Sequence, residues 1–193
     1  MLLDSYLIMA ELLKLEACII LNKIDLPCET IKNVLMTDYQ PLGYRIFLIS
    51  QENNFGYSAL PNLLKDQTSV FIGQSGVGKS SLISHILPHE SISIADISKN
   101  SELGCHTTSN SRFYALSEGG ALIDSPGVRE FSLWKASPRD IVYGFREFRL
   151  LVTECKYSNC THFKTPGCAI FDAVSKKKIS QLRYDSLLKL LGY

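Results

Sequence analysis

The run Gly73-Gln74-Ser75-Gly76-Val77-Gly78-Lys79-Ser80 constrains this chain more than any other stretch. It fits the pattern G-x-x-x-x-G-K-[ST], with the apolar residues Val70, Phe71 and Ile72 before it and Leu82, Ile83, Ile86 and Leu87 at helical spacing after it. A strand that enters a glycine-rich turn and opens a helix aims several backbone N–H groups at one point, which makes an anion site. There Lys79 reaches β- and γ-phosphates, the Ser80 hydroxyl ligates Mg²⁺, and Ser81 follows in the same turn. A glycine-rich turn that matches by chance is the bland alternative, and the strand–turn–helix context argues against it.

The rest of the chain supports an α/β fold. Five strands are expected, near 17–21, 45–49, 68–72, 112–116 and 121–124. Helical periodicity covers residues 1–15, 29–37, the stretch around Leu60, Leu63 and Leu64, and the C-terminal segment through Leu187 and Leu191. Ser117-Glu118-Gly119-Gly120 links two strands as a hairpin. The expected architecture is a mostly parallel sheet with helices on both faces and one antiparallel edge. Residues 90–111, rich in Ser, Thr, Asn and Gly, read as a long loop of the kind that carries function. A boundary is expected near residue 136, with one domain over 1–136 and a smaller one over 137–193. With 193 residues, 46% hydrophobic, and a net charge of +1, the chain is globular, and any nucleic-acid surface on it must be a local patch. No apolar run is long enough for a membrane span, so no membrane partner is expected.

Asn22-Lys23-Ile24-Asp25 follows a buried strand directly, as a base-recognition loop should. The Asp25 carboxylate offers two acceptors to the N1–H and N2–H₂ donors of guanine, where adenine would present an acceptor. Asn22 can bond the far edge of the base, and the stem of Lys23 can cover its face. A site built on such pairing discriminates strongly, because a mismatched partner leaves polar groups unpaired. GTP or GDP with Mg²⁺ is therefore the expected ligand, ahead of ATP.

Asp124-Ser125-Pro126-Gly127 ends a strand and supplies Asp124 for the Mg²⁺ shell and the Gly127 N–H for the γ-phosphate. Gly104-Cys105-His106-Thr107-Thr108 lies in the long loop, where Thr107 or Thr108 can complete the metal shell, with Thr107 favoured. Position 128 is Val, where Ras-type GTPases carry a water-orienting Gln. His106 is the internal candidate to orient that water, against the bland reading of a surface histidine.

Cys155-x₄-Cys160-x-His162-x₅-Cys168 offers three thiolates and one imidazole, a closed set typical of one structural Zn²⁺. Cys18, Cys28 and Cys105 read as free thiols. Lys176-Lys177-Lys178 reads as a solvated face, with contact to RNA phosphates as the alternative.

The order of these motifs is unusual. The guanine reader (22–25) and Ser50, at the end of the next strand, precede the phosphate loop, while the switch elements follow it. The same site can be built by a circularly permuted chain. This order, with NKID, GQSGVGKSSL, GCHTT, IDSPGVREFSLW over 123–134 and the cysteine cluster, resembles the circularly permuted bacterial GTPases of the RsgA (YjeQ) family. The resemblance covers nearly the whole chain. It implies GTP hydrolysis stimulated by the small ribosomal subunit in late assembly, contact with its rRNA, a cytoplasmic monomer, catalytic roles for His106 and Lys79, and zinc in a small helical C-terminal domain.

The chain departs from the family at Cys105, where a polar residue is usual, and at its start. Family members begin with an OB-fold domain that contacts rRNA, and then a strand of the GTPase sheet. That strand would lie between the phosphate-loop strand and the guanine-reader strand. The expectation is thus a fragment, or a chain whose start has been placed too late. The rival function is an inert fragment that serves as a zinc-stabilised RNA-binding module.

Overall fold

The computed structural model describes residues 2–88, 112–124 and 136–193. Residues 90–111, which carry His106, Thr107 and Thr108, and Gly127 beyond Asp124 lie outside the described residues. The elements are α1 (Leu2–Leu12), β1 (Cys18–Leu21), α2 (Glu29–Val34), β2 (Arg45–Leu48), α3 (Leu60–Leu64), β3 (Thr68–Phe71) and α4 (Lys79–Ile86). β4 (Arg112–Ala115), β5 (Ala121–Asp124), α5 (Pro138–Gly144), α6 (Ala169–Ser175) and α7 (Gln181–Leu190) follow. Each expected strand is present, within a residue or two at its ends.

The strands form two sheets, β1-β2 and β3-β5-β4. β3 runs parallel to β5, with Phe71 opposite Asp124, and β4 pairs antiparallel with β5, with Phe113 opposite Ile123. The hairpin closes where Leu116 N–H donates to Gly120 O at 3.1 Å. β1 and β3 do not share a ladder, which is the place where the family resemblance expects a further strand.

The chain divides into two compact units. One draws on Ile20–Cys28 and Phe47–Glu130, the other on Met1–Ile19, Glu29–Ile46 and Phe131–Tyr193. In the first, Ile49, Tyr57, Leu60 and Leu82 form a buried cluster, with Ile20, Phe71 and Ile86 packed against it. β3 and α4 therefore meet the core from both sides of the glycine-rich loop, and each fully buried large apolar side chain contributes about 1.5–3 kcal/mol.

In the second unit Ile8, Ile141, Val142, Phe145, Phe148, Ile170, Tyr184 and Leu187 share one core. α5 starts on Ser137, whose hydroxyl accepts from Asp140 N–H while the Asp140 carboxylate accepts from Ser137 N–H, and Pro138 fills the first helical position. α1 crosses α5 at Gly144, where a Cβ would lie 2.4 Å from Ile8 Cγ2; the close approach leaves room only for hydrogen.

The acidic residues of α1 are not on a solvent face. Asp4 is wholly buried and accepts from Tyr39 Oη at 3.0 Å, from Ser186 Oγ at 2.5 Å and from Arg183 Nη1. Glu11 accepts from Arg146 Nε at 2.6 Å and from Arg149 Nη2. The expected helix over 29–37 changes to a π-helical turn, Leu35–Tyr39, which places Tyr39 in the interior beside Asp4. Among the described residues no helix is long and apolar enough to cross a membrane.

Candidate functional site

Gly73, Gln74, Ser75, Gly76, Val77 and Gly78 form the connection between β3 and α4, and Lys79, Ser80 and Ser81 form the first turn of α4. Helix geometry leaves the first N–H groups of α4 without intrahelical partners, and they open onto this loop. Two glycines hold its shape with left-handed backbone, Gly76 at φ 81° and Gly78 at φ 95°. At Gly76 an added Cβ would meet nothing within 4 Å, so there the backbone conformation and not crowding calls for glycine. A Cβ at Gly78 would lie 2.2 Å from Asn22 Nδ2.

Beside that close approach, two hydrogen bonds link the guanine-reader loop to the phosphate loop. Asn22 Nδ2 donates to Val77 O at 3.0 Å, and Lys23 Nζ donates to Gly76 O at 2.8 Å. Lys23 takes left-handed backbone at φ 62°, and its N–H donates to Asn22 Oδ1 at 2.8 Å. Two side chains that the sequence assigns to the edge and face of a base thus also clamp the loop that would hold the phosphates. Motif spacing gives no sign of this second role, because the partners lie more than fifty positions away.

Asp25 and Ser50 are brought together as well. Ser50 Oγ donates to Asp25 Oδ1 at 2.5 Å and accepts from Asn53 N–H at 3.2 Å. The backbone repeats the link, with Ile24 N–H donating to Ile49 O at 3.2 Å. Ser50 itself is fully buried. Asp25 is thus fixed by Ser50, the second residue after β2.

Lys79 Nζ donates to Gly73 O at 2.6 Å and to Gln74 O at 2.9 Å, so its ammonium spans the loop. Burial pulls its pKa below the ordinary lysine value, and the nearby Asp124 charge opposes that shift. Burial raises the Asp124 carboxyl in turn, against the charges of Lys79 and Arg112. A half-buried cation and a half-buried carboxylate therefore feel each other's charge, with Asp124 opposite Phe71 on the strand next to the one that leads into the loop. This donor set suits a polyphosphate with a divalent cation: N–H groups and an ammonium for the anion, a hydroxyl and a carboxylate for the metal.

The four zinc-type ligands converge in the other unit. The ligand atoms of Cys155, Cys160, His162 and Cys168 all lie within 4.8 Å of one another. His162 Nδ1 is 3.7 Å from Cys155 Sγ and 3.6 Å from Cys168 Sγ. A tetrahedral zinc with ordinary Zn–S and Zn–N bonds requires an S···N separation of about 3.6 Å. His162 is buried with left-handed backbone at φ 62°, and its carbonyl accepts from Tyr184 Oη at 2.6 Å. Burial pushes the Cys168 thiol up to about 12, a cost that a bound cation would relieve. None of the five described cysteines is in a disulfide.

The family model described as RsgA GTPase matches residues 1–134. A small ribosomal subunit biogenesis GTPase RsgA from Haemophilus influenzae (strain PittGG) is 44% identical over 192 residues, which is 98% of this chain and 56% of the relative. The protein of the same name from Actinobacillus succinogenes is 43% identical, over 98% of this chain and 56% of its own length. This chain therefore spans about half the length of these curated relatives. Among solved structures, YjeQ from Thermotoga maritima superposes with a TM-score of 0.75 at 30% identity, over 99% of this chain and 66% of that one. YloQ, a circularly permuted GTPase, gives a TM-score of 0.73 at 28% identity, over 98% and 60%.

Proposed function

The chain belongs to the RsgA GTPase family, and on that premise we propose that it binds guanine nucleotide with Mg²⁺ and hydrolyses GTP in the maturation of the small ribosomal subunit. The observation that carries this reading is the double link from Asn22 and Lys23 to the carbonyls of Val77 and Gly76. A base reader tied to a phosphate cradle has use for a ligand that contains both parts.

In this reading Asp25, braced by Ser50, accepts the guanine N–H groups, and Asn22 and Lys23 frame the base. The loop from Gly73 to Gly78 and the first turn of α4, with Ser80 and Ser81, wrap the phosphates. Lys79 leaves the Gly73 and Gln74 carbonyls for the phosphate oxygens, so its positive charge trades neutral acceptors for charged ones. Ser80 and Asp124 would hold Mg²⁺, which would supply charge neutralisation on the transferred phosphoryl group. Thr107 for the metal shell, Gly127 for the γ-phosphate and His106 for the attacking water complete the proposal. Cys155, Cys160, His162 and Cys168 would hold one structural Zn²⁺ in the part expected over 137–193, while the nucleotide-binding residues of the expected 1–136 part fall in the unit that draws on Ile20–Cys28 and Phe47–Glu130. The partners are the small subunit and its rRNA, and the proposed form is a cytoplasmic monomer.

The test is titration of the purified chain with fluorescent GDP and GTP, with ATP as competitor. Guanine-selective binding is expected, Asp25→Asn should move the preference towards xanthine nucleotides, and Lys79→Ala should abolish hydrolysis stimulated by the small subunit. ATP competing as well as GTP, or unchanged turnover in the Lys79 variant, would overturn the reading. A second reading, a zinc-stabilised RNA-binding module without nucleotide binding, is favoured by the break in sheet pairing between β1 and β3. It predicts zinc and RNA binding with indifference to GTP and GDP.

A further inference from the structure

The ladder through β3, β5 and β4 sets three residues in one row, with Phe71 opposite Asp124 and Asp124 opposite Arg112. Side chains directly opposite one another in a sheet point to the same face. Phe71 packs against the buried cluster that includes Leu82 of α4, so the row lies on the face turned to the core it shares with the phosphate-loop helix. The row also stands at the end of the sheet from which the chain leaves β3 for Gly73. β5 runs parallel to β3 and ends at Asp124, while β4 runs antiparallel and begins at Arg112.

Two cations therefore act on one carboxylate. Burial raises the Asp124 carboxyl, and the charges of Lys79 and Arg112 both oppose that rise. Lys79 is engaged with the Gly73 and Gln74 carbonyls. Arg112 is exposed, and among the described residues it closes no ion pair. Its guanidinium stays close enough to Asp124 to be felt there and remains uncommitted.

We infer that Arg112 is a specificity-determining residue of the nucleotide site, which favours GTP over GDP through its charge. The inference deepens the GTPase reading above and rests on it. In that reading Asp124 serves the metal at the terminal phosphate, and GTP brings one more phosphoryl group to this place than GDP does. A cation set beside Asp124 gains more from the ligand with the greater negative charge there. Arginine suits the task, because its guanidinium stays charged at any working pH and offers a planar set of donors to phosphate oxygens. The competing account is a solvated charge that guards an edge strand against pairing, as charges on such strands often do. A guard of that kind is indifferent to the nucleotide.

The test measures the affinity of the full chain for GDP and for a non-hydrolysable GTP analogue, each with Mg²⁺, by isothermal titration at low salt. Arg112→Gln should weaken the analogue about fivefold or more, while GDP changes by less than about twofold. Arg112→Lys keeps the charge and should keep most of the preference, and Arg112→Glu should weaken the analogue further. Added salt should narrow the gap between wild type and Arg112→Gln, since exposed charges are screened beyond about 10 Å at 0.1 M. Thermal melts without nucleotide should show little change, as the side chain is exposed. Should Arg112→Gln melt early, the Lys and Glu variants carry the comparison.

Equal losses of GDP and analogue, no loss of either, or Arg112→Lys behaving as Arg112→Gln would each overturn the inference. A variant that keeps both nucleotide affinities but loses the small subunit would place Arg112 against a partner, which overturns it as well. A wild-type chain that binds neither nucleotide would strike the GTPase reading and this inference with it. Guanine-selective binding with an unmoved ratio of GTP to GDP affinity strikes the inference alone.

Discussion

Arg183 and Asp4 pair in the interior of one unit, 2% and 0% exposed and 179 positions apart in the chain. Glu147 joins them, accepting from Arg183 Nε at 2.7 Å, and the guanidinium lies 4.6 Å from the ring centres of both Tyr39 and Phe145. One cation therefore serves two carboxylates from different elements. Arg183→Leu would remove the guanidinium that both buried carboxylates face, and a loss of about 3–5 kcal/mol is expected from denaturant melts. Arg183→Lys should recover little of it, because an ammonium cannot reproduce the planar fork. A loss below 1 kcal/mol, roughly what an exposed pair is worth, would show that the network is solvated.

Gly78→Ala tests the clamp on the phosphate loop. The new methyl group would enter left-handed backbone at φ 95° and strike Asn22 Nδ2. GDP affinity should fall by at least about tenfold, the equivalent of one charge-assisted or well-placed hydrogen bond lost at the reader. Global stability should change far less than affinity. Isothermal titration beside a thermal melt separates the two, and equal nucleotide affinity would sink the account.

Acidity should act through Glu11. Burial alone would raise its carboxyl, but hydrogen bonds and charge from Arg149 and Arg146 outweigh burial and hold it below the usual glutamate value. A depressed folded value stabilises the fold above the unfolded value of about 4.3, and that stability is lost as pH falls through the folded one. The difference in Tm between wild type and Glu11→Gln should thus be full at neutral pH and close as the pH drops below about 4.3. A gap that stays constant across that range would contradict the assignment.

Zinc removal offers a fourth check. Metal analysis should find about one zinc per chain, and a strong chelator should release it together with the order of the loop around His162. Tyr184 loses the His162 carbonyl in that event, so near-ultraviolet circular dichroism should report the change. Cys160→Ser should lower metal content without touching guanine selectivity.

Much of the site is legible in the sequence because its chemistry is local. Asn22 to Asp25 and Gly73 to Ser80 each act within one turn of chain, and residue type with spacing suffices to find them. Strand positions are legible for the same reason, since short apolar runs bounded by turn residues leave few alternatives. What the sequence hides is pairing at a distance. Asp4 on an apolar helix reads as a solvent-facing acid until Arg183 arrives beside it, and Asn22 reads as a base contact until Val77 O is within reach.

In the proposed site, the bonds from Asn22 and Lys23 to Val77 and Gly76 also couple the loop assigned to the base with the loop assigned to the phosphates. Whatever settles one loop lowers the cost of settling the other, and thermodynamic linkage makes the benefit mutual and equal in size. Guanosine and pyrophosphate offered as separate molecules would each improve the affinity of the other. A nucleotide, which carries the two halves on one ribose, would receive that cooperativity within a single binding event, so the proposed site would respond to the joined ligand as a whole.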